Sequence, residues 1–346
     1  MYKRQLLLFG ETLELRAEAD VPRGMVLGGE PQDIPDNGTD FDRQQPVRLH
    51  ARMLRATLRN PLGELSLGHT TTHVGMGIVD HDGDQPRFFG SPDRPSTYER
   101  LQLLSGRADA ALRVFASGDI LFEDGRFSLV EGDQLLRVAL GTLYAPNRGS
   151  QLGLFARYES LQPKPAYGGT QSFVFDSSGR FRSKLAGSAG EVFGEYEAVY
   201  RLGDVSEASP QSGAGVQRAT SSLAGAARLG VAFERVANHR RYGALVVSLE
   251  WGMASGDADP TDNELHRFVM NPNHAVGLIL FSEVLRFKTS RAQALLANAN
   301  AKAGRAPAEG VATRGGVAGA SYLNPVLLLR PSPDLCLLYT SPSPRD

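Results

Sequence analysis

The sequence has 346 residues and a formal net charge of -1, with 37 Lys and Arg against 38 Asp and Glu, so no basic excess favours nucleic acid as a partner. Its single cysteine, Cys336, excludes a disulfide framework and a thiolate metal site. The longest apolar run, Ala275 to Phe281, is far shorter than the ~20 residues of a membrane-spanning helix. A helical membrane protein is therefore excluded, whereas a membrane β-barrel is not.

Both ends of the sequence look foreign to the rest. The opening MYKRQ and the closing LCLLYTSPSPRD resemble translated sequencing-adapter read-through. This resemblance predicts one natural domain at residues 6–335, with residues 1–5 and 336–346 as artefact. We expect the domain to be truncated, with closing strands missing, so the absence of a signal peptide carries no information about location.

Apolar and polar residues alternate along most of the chain, with the period of two that is typical of half-buried strands. The alternation begins at residues 13–21 and returns at 136–144, 152–159, 191–200, 223–233 and 245–253. These segments are roughly ten residues long or longer, which is the span of a tilted transmembrane strand, whereas soluble strands usually have about five or six residues. The pattern predicts an all-β fold, an antiparallel transmembrane β-barrel with about 12 strands visible.

One predicted strand changes its phase. Arg48, His50 and Arg52 alternate in one phase, but Arg55 and Arg59 follow the other. A β-bulge near Met53 and Leu54 would add one residue and turn the later side chains to the same face. We therefore predict a bulge there.

Long and short connections alternate between the predicted strands. Tight turns are expected at residues 60–63, 146–149 and 238–241, and long connections at 22–46, 80–96 and 160–179. Outer-membrane barrels have short periplasmic turns and longer external loops, so the long connections should lie outside. This orientation places Trp251 near the outer end of a lipid-facing strand, and its phase places Tyr196 and Tyr200 on the lipid face.

The period of two is lost at Phe281 to Gly304, where Ala, Leu and charged residues at helical spacing predict a helix ending at Gly304. This helix would belong to a long external connection at residues 255–319. It could fold into the lumen as a plug or pack on the surface, and the sequence favours neither arrangement.

Three blocks of the sequence resemble a known family. They are HTTTHVGMGIVDHDGD at His69 to Asp84, GDADPTDNELHRFVMNPNHAVGLILFSEVLRFKTSRA at Gly256 to Ala292, and YLNPVLLLRPSP at Tyr322 to Pro333. They look like the signatures of an uncharacterised group of bacterial outer-membrane β-barrels that is similar to alginate-export porins. Val74 departs from the family pattern, which commonly has Trp there. The resemblance implies a monomeric barrel with a polar lumen in the bacterial outer membrane, in contact with lipid and lipopolysaccharide, and it supplies no substrate.

Two acidic clusters resemble calcium loops. In the first, Asp257, Asp259 and Asp262 follow Trp251, but an EF-hand needs Gly at its sixth position, where Asp262 stands, and Glu at its twelfth, where Phe268 stands. A solvated turn is the favoured interpretation, with weak calcium binding left open. The second cluster, Asp80, Asp82 and Asp84, lies in a long connection and is interpreted as a soluble loop tip.

His69 and His73 share a face of a predicted strand, but their stretch offers no nearby carboxylate or third His, so we expect no metal site and no cofactor. The chain also lacks the motifs of hydrolases, nucleotide-binding enzymes and metalloproteases, so no catalytic residue and no enzyme activity are predicted.

The polar phase of the strands supplies the candidate site. Ten residues are predicted to line the pore: Glu14, Arg16, Glu18, Arg113, Asp119, Arg137, Arg157, Glu191, Glu195 and Glu197. Their mixed signs indicate a weakly selective channel or a lumen partly knit by salt bridges. The predicted function is a porin-like channel for passive passage or export of polar solutes or polysaccharide. The alternative is a soluble or surface-attached carbohydrate-binding β protein.

Overall fold

A computed structural model describes residues 2–9, 12–23, 48–83, 95–107, 109–123, 129, 132, 134–162, 169–186, 190–208, 215–233, 245–258, 264–277, 313, 315–332, 335–340 and 343–345. Several expectations lie outside these residues: the helix at 281–304, the tight turn at 238–241, and the carboxylates of Asp84, Asp259 and Asp262. No helix in the described ranges is long and apolar enough to cross a membrane.

The described residues form sixteen strands in one sheet. The strands are β1 (Tyr2–Phe9), β2 (Leu13–Arg23), β3 (Arg48–Asn60), β4 (Gly63–Thr71), β5 (Thr97–Ser105), β6 (Leu112–Glu123), β7 (Gln134–Asn147), β8 (Ser150–Gln162), β9 (Gly169–Lys184), β10 (Gly190–Ala208), β11 (Gly215–Phe233), β12 (Leu245–Ala254), β13 (Glu264–Leu265), β14 (Ala320–Ser332), β15 (Leu335–Thr340) and β16 (Ser343–Arg345).

The strands follow one another in the sheet as they do in the sequence. Strands β1 to β12, then β14 and β15, pair with their neighbours in that order, while β13 pairs with β11 and β16 with β14. Every ladder is antiparallel except the short one between β11 and β13. The predicted fold class is confirmed, and the six alternating segments lie in β2, β7, β8, β10, β11 and β12. Within the described ranges no ladder joins β1 to β15. Both end segments pair as strands, and their origin as read-through stays a prediction.

The two faces of the sheet differ sharply. On one face large apolar side chains are exposed, among them Leu140 (59%) and Trp251 (50%), while on the other Asp119 and Arg137 are buried. Since the exposed face is apolar over long strands, it is the face suited to lipid, and the charged side chains lie on the opposite, inner face. Tyr196 and Tyr200 lie on the apolar face as predicted.

The ladders confirm the predicted bulge and two of the tight turns. In β3 the register moves from Met53 to Ala51 against consecutive residues of β2, so Arg52 is the extra residue. The turn between β3 and β4 is closed by Asn60, whose Oδ1 accepts the backbone N–H of Leu62 at 2.8 Å. The turn between β7 and β8 is closed in the same way, since Asn147 accepts the N–H of Gly149 at 2.9 Å.

Two connections fold against the polar face of the sheet, and we call the sheet itself the wall. We call residues 72–83, after β4, the first inner loop, and residues 264–277, after β12, the second inner loop. Their backbones meet, because Asn271 donates its N–H to the carbonyl oxygen of Ile78 at 2.7 Å. Both loops contribute to one buried apolar cluster with residues of the wall and of residues 313–319: Met76, Ile78, Val79, Val174, Val199, Ala224, Ala226, Ala254, Phe268, Met270, Val276, Val317 and Tyr322. The interior in front of the later strands is therefore filled by chain.

Candidate functional site

The first inner loop is attached to the wall by one carboxylate. Glu197 of β10 is buried, and its Oε2 accepts the backbone N–H of Met76 at 2.7 Å and of Ile78 at 3.1 Å. The loop approaches the wall closely at Gly75, which has a φ of 54°. A Cβ at Gly75 would lie 2.7 Å from Ser178 Cβ and 2.8 Å from Glu197 Oε2, so glycine is required there.

A second attachment is a chain of ion pairs that we call the ladder of charges. Its members alternate in sign across β5 to β9 and the first inner loop: Arg100, Asp119, Arg137, Asp80, Arg157 and Asp176. Arg100 holds Asp119 with two hydrogen bonds of 2.7 and 2.9 Å, and Arg137 donates to the same carboxylate at 2.8 Å. Asp80 Oδ2 then accepts from Arg137 at 2.7 Å and from Arg157 at 2.8 Å, and Arg157 continues to Asp176.

Asp80 corrects one expectation from the sequence. The expectation that Asp80 lies in a soluble loop tip is wrong, because the first inner loop folds inwards and leaves Asp80 only 2% exposed. Burial by itself opposes ionisation of Asp80, yet Arg137 and Arg157, with the hydrogen bond from Tyr98, hold the pKa of the Asp80 carboxyl well below its usual range. Asp80 is therefore the anion between two arginines of the wall.

The second inner loop is tied to the wall by His274. Its Nδ1 lies 3.0 Å from the carbonyl oxygen of Met76, and its Nε2 lies 3.0 Å from the hydroxyl of Tyr322. Tyr322 in turn donates to Glu250 Oε1 at 2.7 Å, and Arg228 donates to Glu250 Oε2 at 2.9 Å. The three sequence blocks that carry the family resemblance thus contact one another through Met76, His274 and Tyr322.

The ten predicted pore-lining residues all belong to the polar phase of their strands, but the structure groups them differently. Asp119, Arg137 and Arg157 belong to the ladder of charges. Others are paired elsewhere on the wall: Glu14 with Arg59, Arg16 with Glu18, Arg113 with Glu64, Glu191 with Arg182, and Glu195 with Arg228. Glu197 instead holds the first inner loop. Exposure of these side chains to a conducting path stays a prediction.

The two histidines considered as a metal pair are separated. His69 lies on the apolar face, where its Nδ1 is 2.8 Å from Glu99 Oε1 and its ring packs edge-on against Phe122. His73 lies in the first inner loop beside His81 and Asp82. The local stretch supplies neither a carboxylate nor a third His, but strand pairing brings Glu99 to His69, and the fold of the loop brings His81 and Asp82 to His73.

Several residues of the site were not singled out from the sequence. Asp176, Glu250 and Tyr322 occupy the polar phase of strands, so the alternation assigns their face but not their partners. Tyr98 and Arg100 lie at the start of β5, next to a long connection that carried no clear pattern. The best available signal was the three-block resemblance, since its blocks prove to meet in space.

No family model matches the chain, and no curated protein matches it in sequence. Among solved structures, the outer-membrane channel DcaP of Acinetobacter baumannii is 13% identical with a TM-score of 0.48, over 99% of this chain and 77% of that chain. OpdK of Pseudomonas aeruginosa, determined with vanillate, is 13% identical with a TM-score of 0.38, over 99% and 86%. An anion-selective porin from Comamonas acidovorans is 14% identical with a TM-score of 0.34, over 73% and 68%. Similarity this distant leaves function to be argued from the site.

Proposed function

We propose that this protein is a monomeric porin-like channel of the bacterial outer membrane through which small polar solutes pass by diffusion. The observation that carries the proposal is the division of one long-stranded sheet into an apolar outer face and a charged inner face. A soluble protein rarely exposes a contiguous apolar surface of more than a few hundred Å². Here exposed Leu, Val, Phe and Tyr side chains recur on strand after strand. This disfavours the alternative of a soluble or surface-attached carbohydrate-binding protein.

The charges of the inner face support weak ion selectivity. Selectivity in pores arises from rings of like charge or from a constriction. The acidic residues Glu191 and Glu195 are each opposite an arginine, and the ladder of charges alternates in sign. Since neighbouring charges cancel, the interior attracts neither cations nor anions strongly.

The inner loops argue for small solutes rather than polysaccharide. Ile78, Met270 and Val276 are fully buried in the interior cluster, so the space in front of the later strands is occupied. A polysaccharide would need these loops to move, whereas small polar solutes need only the space that remains. Lipid and lipopolysaccharide are the expected neighbours of the outer face.

Conductance in planar lipid bilayers tests this function, with the full-length protein refolded in detergent and its folding checked by heat-modifiable gel mobility. We expect single-channel steps with a reversal potential near zero in a KCl gradient. In liposome-swelling experiments, mono- and disaccharides should enter and long oligosaccharides should not. If folded protein gives no steps, and Glu197→Gln, which loosens the first inner loop, gives none either, the channel function is wrong. A large reversal potential would refute the cancellation of charges.

A further inference from the structure

We propose that His73, Asp82 and His81 of the first inner loop form a binding site for a divalent transition-metal ion, with Zn²⁺ as the best-suited ion. The three side chains offer two imidazole nitrogens and one carboxylate oxygen, all within 4.8 Å of one another. Imidazole and carboxylate ligands suit zinc, which commonly takes three protein ligands and keeps a fourth position open. The proposal does not depend on whether the protein conducts solutes.

The backbone of the first inner loop creates this cluster. Val74 donates its N–H to the carbonyl oxygen of Asp80 at 3.3 Å, which closes the segment between them into a tight loop. The residues that flank this bond, His73 and His81, are thereby brought side by side, with ring centroids 4.7 Å apart and ring planes at 80°. Residues eight apart in sequence thus become neighbours through one hydrogen bond.

A glycine makes room for the two rings. Gly77 has a φ of 80°, which L side chains rarely adopt. A Cβ there would lie 2.3 Å from Cδ2 of His81 and 3.1 Å from Cε1 of His73. Any other residue at Gly77 would push the imidazoles apart, so the loop is shaped around their close approach.

The distances between the ligand atoms suit a metal. Nδ1 of His73 lies 3.5 Å from Asp82 Oδ1, and Nδ1 of His81 lies 3.7 Å from the same oxygen. In a tetrahedral site with bonds of about 2.0–2.1 Å, ligand atoms are roughly 3.3 Å apart. The two distances to Asp82 Oδ1 lie close to this value.

The hydrogen bonds of the two histidine rings determine which nitrogen of each ring can bind a metal. Nε2 of His73 lies 3.2 Å from the carbonyl oxygen of Gly75, so this nitrogen carries the hydrogen and Nδ1 keeps its lone pair towards Asp82. Such a bond from the second nitrogen to a carbonyl is the usual support for a metal-binding histidine. Nδ1 of His81 accepts the N–H of Gly83 at 2.9 Å, so a metal bound at this nitrogen would replace that hydrogen bond. The two rings and the Asp82 carboxylate thus place three potential ligand atoms close together, as a bound cation requires.

The burial of the three groups leaves one side of the site accessible. The side chain of His81 is 1% exposed, while those of His73 and Asp82 are 27% and 26% exposed. An ion can therefore enter from the His73 side, and water or an anionic group of a solute would complete its coordination. Bound metal would tie the two ends of the tight loop together.

Zinc titration of the untagged full-length protein in detergent tests the site, by calorimetry and by the visible absorption of Co²⁺ as a substitute. We expect one ion per chain and a Co²⁺ spectrum typical of nitrogen and oxygen ligands in four-coordinate geometry. His73→Gln and Asp82→Asn should each weaken the affinity about tenfold or more. His69 lies on the apolar face and His266 lies in the second inner loop, so His69→Gln and His266→Gln should bind zinc like the unchanged protein.

The choice of variants keeps the test decisive. His81 is buried, and its replacement could unfold the loop for reasons unrelated to metal, so the partly exposed His73 and Asp82 carry the test. Heat-modifiable mobility shows whether each variant is folded. Absence of stoichiometric binding, equal affinity in folded His73→Gln and Asp82→Asn, or loss of binding in His69→Gln would each overturn the proposal.

Discussion

Replacing Asp80 with Asn removes the anion that the first inner loop places between two arginines of the wall. Arg137 and Arg157 lie on neighbouring strands, and both donate to Asp80 Oδ2, at 2.7 and 2.8 Å. Asparagine has nearly the same shape but no charge. The substitution therefore leaves two buried cations with one fewer counter-ion while changing the packing very little.

The loss in the free energy of unfolding can be estimated from the ion-pair partners that Arg137 and Arg157 keep. Breaking a buried ion pair by removing one member typically costs about 3–5 kcal/mol. Arg137 keeps Asp119 at 2.8 Å and Arg157 keeps Asp176, so neither arginine is left alone. We therefore expect the lower end of the range, about 3 kcal/mol, which corresponds to a change of roughly 100-fold in the unfolding equilibrium.

Chemical denaturation of the protein refolded into lipid vesicles measures this loss, with the fluorescence of the single tryptophan, Trp251, as the signal. Asp109→Asn is the matched control, since Asp109 pairs with Arg107 at 3.1 Å but the side chains are 73% and 76% exposed, and exposed pairs contribute little. The ladder of charges would be shown not to stabilise the fold if Asp80→Asn lowered the free energy of unfolding no more than Asp109→Asn. This stabilisation also depends on pH. Because the pKa of Asp80 is lowered in the folded protein, its contribution to the free energy of unfolding is present above the ordinary Asp pKa of about 4. The contribution is lost as pH falls through the folded pKa.

Three further predictions concern the loop, the outer face and pH. Glu197→Gln replaces a carboxylate that accepts two backbone N–H groups, so the first inner loop should be held less tightly by about 1–2 kcal/mol and be cleaved faster by added protease. Leu101→Arg, on the apolar face, should cost about 2–4 kcal/mol in lipid, whereas Gln102→Arg, on the inner face of the same strand, should cost little; equal unfolding curves would contradict the assignment of faces. Burial would lower the pKa of His73, but Asp82 raises it above its ordinary value, so the stabilisation from the charged ring is complete below about pH 6.5 and is lost as pH rises through the raised pKa. His73→Gln should abolish this dependence of the unfolding free energy on pH above about 6.5.

The path of the strands could be predicted because each strand has one apolar and one polar face, so the face of a residue can be recognised from the alternation along the sequence. The same rule located the bulge in β3, because arginines in opposite phases cannot both lie on the polar face unless one residue is inserted, and Arg52 is that residue. The tight turns could be located because Asn60 and Asn147 have side chains suited to accept turn N–H groups. These signals depend only on neighbouring residues, so they can be recognised in a single sequence.

The interior could not be predicted in the same way, because its contacts join residues that are distant in sequence. Asp80 is 77 residues from Arg157, and Asn271 donates to Val79 across 192 residues. Period and spacing carry no information about such pairs. The carboxylates of the first inner loop therefore resembled a solvated tip, although the wall arginines that hold Asp80 were already identified as polar-phase residues.

The position of the first inner loop follows from the wall charges rather than from its own composition. Arg137 and Arg157, on adjacent strands of a buried surface, would repel each other without an anion between them. Asp80 supplies that anion from the loop, and Glu197 accepts the backbone N–H groups of Met76 and Ile78, four and two residues before Asp80. Each attachment satisfies a polar group that would be costly to bury alone, so the wall and the loop stabilise each other. Wall charges that the alternation predicts to line a pore thus hold the first inner loop against the polar face of the sheet.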